Sequence, residues 1–312
     1  MRVLVLADME GIHGIERAKT GEKLNELMTA EVLFVVEVLR NIGVCDITVC
    51  DAHDKGENIY REKFIEKNVE IVSQVWNVNF ARRYDAALIV GIHGMAGSES
   101  IFAHTLREDI AKVEANGEVI GEMGIFIRWL REHNIPTIFV SGDEQAVVEA
   151  LMEDAACTTL AVKRREDMFA EGILWRQEYR KKIRCAFESY KFSPLNEGAA
   201  CKKDLRLYLK NQDALALVRA QARVKEKYIW SESYGELIEL MVDVCEDLNL
   251  ARDKILRENK EFIMEIRHKY QHVRIQGSKD SKLHQLLSKD IYTLECRDRL
   301  YIMETLQSLI KK

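Results

Sequence analysis

Four apolar runs in this sequence end in side chains able to hold a metal. VLVLA, Val3 to Ala7, runs into Asp8-Met9-Glu10-Gly11, and ITVC, Ile47 to Cys50, into Asp51-Ala52-His53-Asp54. AALIV, Ala86 to Val90, runs into Gly91-Ile92-His93-Gly94, and TIFV, Thr137 to Val140, into Gly142-Asp143-Glu144. Asp8 and Glu10 are two residues apart, so in an extended chain both carboxylates point to one side, where they share a cation instead of repelling each other. A DxE pair alone is as often a turn with solvated acids. His53 and His93 alter that balance, because neutral imidazole combined with carboxylate is a zinc set, whereas all-oxygen ligands suit magnesium or calcium. Two such zinc ions about 3.5–4 Å apart serve aminopeptidases and phosphatases alike.

The remaining histidines, His13, His133, His268, His272 and His284, read as packed or surface imidazoles. The glycines of GIHGMAG, 91–97, match neither GxGxxG nor GxxxxGKS, so they are read as letting a loop pass close to the metals. His104 lies shortly before Asn116-Gly117, a hairpin-turn dipeptide, and is expected on that hairpin beside His93.

The elements that position these residues follow from periodicity. The four runs are nearly continuous in apolar residues, as in strands covered on both faces, and are expected to be central. Leu24, Leu27, Met28, Val32, Leu33, Val36, Leu39 and Ile42 recur at helical spacing up to Gly43 and form a crossover helix. A second helix is expected from Glu122 to His133, stopped by Ile135-Pro136, and a third after Asp143. Alternating strands and helices give an α/β fold, a mostly parallel Rossmann-like sheet with flanking helices, in which ligands bind outside the carboxyl ends of the strands.

Beyond Pro194 the character changes to a smaller α+β portion. It has LRLYL at Leu205 to Leu209, a helical stretch over Ala214 to Arg223, a short YIW, and a helix from Gly235 to Leu250. The expected division is 1–195, an α/β domain with the metal ligands; 196–250, the α+β portion; and 251–312, a charged C-terminal helical extension. The extension has fourteen Lys/Arg against nine Asp/Glu, a net of about +5, ordinary for a solvated helical face.

The whole chain of 312 residues has a formal charge of −5 and a pI near 6.0, so bulk electrostatics give no reason to expect nucleic acid. Seven scattered cysteines, never spaced as CxxC, suit a reducing compartment. No stretch approaches the ~20 apolar residues of a membrane span, and the opening lacks a signal-peptide pattern. The expectation is a soluble cytoplasmic protein with no membrane partner.

The ordered segments DMEG, DAH, GIHG, AHT, NGEVIGEMG and SGD resemble the zinc-dependent D-aminopeptidase family, the DppA family, over roughly residues 1–250. Residue by residue, the resemblance implies that Asp8 bridges two zinc ions. Glu10 and His53 complete one site, and His93 and Glu122 the other. His104 matches the catalytic histidine. It further implies short peptide substrates with an N-terminal D-residue and a homo-oligomeric ring. Glu122 gains most, since by position alone it is an acid at a helix N-terminus. One position departs from the pattern: the family begins the first motif with Ser, one residue, then Asp, and Leu6 stands where that Ser would be. Metal-assisted amide hydrolysis is the leading chemistry. A binuclear phosphoesterase or non-peptide amidohydrolase, and a zinc-holding oligomeric scaffold, are the alternatives.

Overall fold

The computed structural model describes residues 1–15, 21–163, 173–190, 203–210, 223–225, 227–244 and 246–249. The expected helix over 214–223 and the tail 251–312 lie outside these, apart from Arg223. By chain contacts, residues 1–244 form one compact unit.

Six strands form the main sheet: β1 (Arg2–Ala7), β2 (Asp46–Asp51), β3 (Glu70–Ser73), β4 (Ala86–Ile92), β7 (Thr137–Asp143) and β8 (Thr158–Lys163). Their order is β3-β2-β1-β4-β7-β8, and every neighbouring pair is parallel. The four strands expected from the sequence are the four inner ones. Every residue of β4 and β7 is buried, which is why their sequences lack polar alternation. The two edge strands, β3 and β8, have mixed sequences and carry no such signal.

Helices cover both faces. On α1 (Gly21–Asn41), Met28, Val32, Val35, Val36 and Leu39 form the buried stripe, and Gly43 at φ +91° follows the helix end. They join Val3, Val5, Ala7, Leu88 and Val90 in one apolar cluster with Trp175, Tyr179, Ile183 and Ala186 of α4 (Ile173–Ser189). Those four residues sit at helical spacing among many charges, so α4 is amphipathic. The alternate strand residues Leu4, Leu6 and Ile89 are equally buried. Leu6 is thus an ordinary core residue of β1. Helices α2 (Glu122–Glu132) and α3 (Glu144–Glu153) pack on β7 and on each other.

A second, antiparallel sheet has the order β10-β9-β5-β6, from β5 (Ile110–Ala115), β6 (Glu118–Ile120), β9 (Leu205–Leu209) and β10 (Ile229–Ser231). Asn116 and Gly117 join β5 to β6 with φ values of +53° and +88°, as a type I′ turn requires. LRLYL pairs onto this hairpin and the YIW strand onto LRLYL, so residues from both sides of position 195 share one sheet. A helix over 234–244 follows. Arg128 of α2 ties it down, forking onto Glu153 at 2.7 Å through both Nε and Nη2 and donating to the Tyr234 hydroxyl at 3.1 Å.

Candidate metal centre

The order of the main sheet reverses between β1 and β4, and that switch point is where an open α/β sheet leaves a crevice. Asp8 follows β1 and His93 follows β4, on either side of it, while His53 follows β2. Asp8 and Glu10 converge, though not through extended chain: the backbone turns at Met9, with the Ile12 amide donating to the Met9 carbonyl at 3.2 Å.

Close backbone contact makes this possible. The Gly11 amide donates to the Gly91 carbonyl at 2.7 Å, and a Cβ on Gly11 would lie 1.9 Å from the Ile92 carbonyl oxygen. Gly91 has φ +74°, and a Cβ there would lie 2.3 Å from the Asp8 carbonyl oxygen. These glycines let the turn after β1 lie directly against the end of β4.

The side chains meet in overlapping triads. Asp8, Glu10 and His53 form one, Asp8, His93 and Glu122 a second, and Glu10, His93 and His104 a third, each with its donor atoms within 4.8 Å of one another. Asp8 is common to the first two and divides its oxygens between them. Its Oδ1 is 3.2 Å from His53 Nδ1, and its Oδ2 is 3.6 Å from His93 Nε2. Glu10 Oε2 lies 2.8 Å from His53 Nδ1, and Glu122 Oε2 lies 3.7 Å from His93 Nε2.

The tautomer of His93 is set by its other nitrogen. Nδ1 is 3.0 Å from the Gly94 carbonyl, which only accepts, so Nδ1 donates there and Nε2 faces the carboxylates. Asp8 Oδ2 and His93 Nε2 are both buried without a hydrogen-bond partner. Orphaned buried polar atoms are rare, and two converging on one point have the chemistry of a cation site. Asp8, His93 and Glu122 are buried, whereas Glu10, His53 and His104 are partly open to solvent, so a ligand reaches the cluster from their side.

Three carboxylates draw positive charge. Burial disfavours a charged His53 ring, yet hydrogen bonds to Asp8 and Glu10 outweigh it and raise the pKa to about 11. Burial opposes charge on His93 likewise, and the charges of Asp8, Glu122 and Glu10 raise its pKa to about 9. A metal entering the site therefore displaces protons.

His104 stacks on His93 with ring centroids 4.0 Å apart, and its Nε2 is 3.9 Å from Glu10 Oε1. Its Nδ1 is 2.9 Å from the Phe102 carbonyl and donates to it, which leaves Nε2 free to exchange a proton. His104 does not sit on the β5–β6 hairpin as expected; it lies in the loop before β5. The Thr105 carbonyl accepts from the Arg107 amide at 2.7 Å across Leu106, which has φ +62°, a tight γ-turn. That turn aims the Leu106 amide at Glu122 Oε2, 2.8 Å away.

The fourth strand end behaves differently. Asp143 is no member of the triads: its Oδ1 accepts from the Ala146 amide and caps α3, and its Oδ2 accepts from the Gly94 amide at 3.2 Å and from the Ser100 hydroxyl. Glu149, further along α3, accepts from the Met95 amide at 2.8 Å, and burial raises its pKa to about 7. Both hold the loop that bears His93. The S-G-D-E run marks Asp143 as a helix cap, but nothing in the sequence marks Glu149. Asp51 is likewise structural, accepting from the amides of Asn58 and Ile59 at 2.7 and 3.0 Å.

A wound, all-parallel α/β sheet with a carboxylate–histidine cluster at its switch point defines an α/β protein with a candidate metal centre. This chain belongs to the D-aminopeptidase family (peptidase M55), whose sequence profile matches residues 1–212. It is 27% identical over 176 residues to a D-aminopeptidase of Bacillus subtilis (strain 168), covering 52% of this chain and 64% of that protein's length. Among solved structures it is similar to the Zn-dependent D-aminopeptidase DppA from Bacillus subtilis, described as a self-compartmentalizing protease. That likeness has a TM-score of 0.67 at 20% identity over 78% of this chain and 97% of the other, and it shows a shared fold.

Proposed function

We propose that this protein is a zinc-dependent aminopeptidase hydrolysing short peptides, those with an N-terminal D-residue by preference. Two zinc ions would be held, one by Asp8, Glu10 and His53 and the other by Asp8, His93 and Glu122. The observation that carries the reading is the division of Asp8, one oxygen toward each histidine, as a bridging carboxylate requires. When bound, the zinc pair supplies Lewis acidity toward the scissile carbonyl and makes water acidic enough to serve as a nucleophile near neutral pH.

The chain's own residues do the rest. Asp8, His93 and Glu122 form a rigid inner wall because all three are buried and backbone groups hold His93 and Glu122. His104, on the open side with Nε2 uncommitted to backbone, stabilises the developing oxyanion and passes a proton toward the departing amine. Hydrolysis of D-alanyl p-nitroanilide beside its L-isomer and p-nitrophenyl phosphate, with zinc and with chelator, tests the reading. Zinc-dependent release from the D-anilide is expected. Cleavage of the phosphate ester alone would overturn it in favour of a phosphoesterase.

We further infer that residues 1–195 supply the ligands, that 196–250 complete the family region, and that the 251–312 extension acts in assembly. A homo-oligomer is the reading for quaternary structure, supported by the self-compartmentalizing relative. A cytoplasmic location is supported by the unpaired cysteines Cys45, Cys50, Cys157 and Cys185. No helix among the described residues is long and apolar enough to cross a membrane.

A further inference from the structure

A buried polar chain next to the candidate centre has no part in the roles above. Glu31 of α1 is 2% exposed. Its Oε2 accepts from the His13 amide at 2.8 Å, and its Oε1 accepts from the Tyr179 hydroxyl of α4 at 2.8 Å. Tyr179, wholly buried, is also hydrogen-bonded to Ser141 of β7. Since Tyr179 gives its proton to Glu31, the Ser141 hydroxyl donates to Tyr179. A buried carboxylate is costly, and apolar residues of similar volume often serve stability as well or better. The value of this one lies in what it holds.

It holds the turn after β1. Among the described residues, three backbone amides of that turn donate to groups outside it. Asp8 donates to the Val90 carbonyl at 2.9 Å and Gly11 to the Gly91 carbonyl at 2.7 Å, both at the end of β4. The third is His13, whose acceptor is Glu31. Only this third anchor depends on a side chain. The His13 ring adds to it by stacking on Trp175 of α4, with centroids 5.1 Å apart.

We propose that Glu31 is a positioning residue for the metal centre: through His13 it fixes the exit of the turn bearing Asp8 and Glu10, while Tyr179 and Ser141 hold its carboxylate. The inference rests on the metal-centre reading above. Its physical basis is that ligand geometry is set by the groups behind the ligands, which need support to within a fraction of an ångström.

The test uses the full chain, zinc alone and competition with a chromophoric chelator, with hydrogen exchange followed in the peptide covering 8–13. Glu31→Leu is expected to weaken zinc binding roughly 10–100-fold, as loss of a partner behind the ligands does. The 8–13 amides should exchange faster while β4 stays protected. Glu31→Gln, whose amide oxygen still accepts from His13, should stay close to the parent. If Glu31→Leu does not fold, Tyr179→Phe, which keeps the ring and frees the carboxylate, decides by the same comparison. A folded variant that is less heat-stable but binds zinc as tightly as the parent would overturn the inference and leave Glu31 a structural group. A parent chain that takes up no zinc would bring down the metal-centre reading, and this inference with it.

Discussion

Asp8 carries more of the site than any other residue, because each of its oxygens faces a different histidine. His104 is distinct in kind: its nitrogen nearest the cluster is 3.9 Å from Glu10, and its ring lies flat on His93. Replacing it by Ala should lower turnover about 10²–10⁴-fold with zinc content unchanged, by steady-state kinetics and metal analysis on one preparation. Gly91→Ala should destabilise by more than about 1 kcal/mol in urea unfolding, since it puts a side chain at positive φ against the Asp8 backbone. Glu31 gives a pH dependence of known sign. Burial raises its pKa from 4.5 to about 7, so between those values the folded chain keeps a proton that the unfolded chain has lost. Its contribution to stability therefore declines as pH rises from 4.5 through 7. Metal-free Glu31→Gln should show a flatter profile of urea midpoint against pH over that window.

At the scale of elements, much of the fold is legible in the sequence. β1, β2, β4 and β7 announce themselves as apolar runs because helices cover both their faces, and α1 does so through its buried stripe. β3 and β8 lie at the sheet edges, where a strand needs less apolar surface, and the charges of α4 mask Trp175, Tyr179 and Ile183. The same division holds for the site. Asp8, Glu10, His53 and His93 can be read from their places after strands, whereas Glu122 and His104 lie at a helix start and in an irregular loop, where no local pattern marks either as a site residue. Asp143 shows an element serving a site, since the cap of α3 is also the acceptor for the His93 loop. Asp143→Ala should cost about 1–2 kcal/mol of stability and weaken zinc binding, both measurable by chelator competition and thermal melting.

On the scale of the molecule, the family match covers residues 1–212 and the compact unit extends to Val244, so the ligands and the main sheet lie in one body. The 251–312 extension lies beyond both. Deleting it should leave zinc content and peptide hydrolysis intact and change the mass found by light scattering, as an assembly role requires. The central claim is the pair of metals, and metal analysis of the purified chain beside His93→Ala tests it most directly. About two zinc ions per chain are expected for the parent, the number such binuclear centres hold, with one or none for the variant. A parent with no bound zinc, or a variant with as much as the parent, would contradict the account.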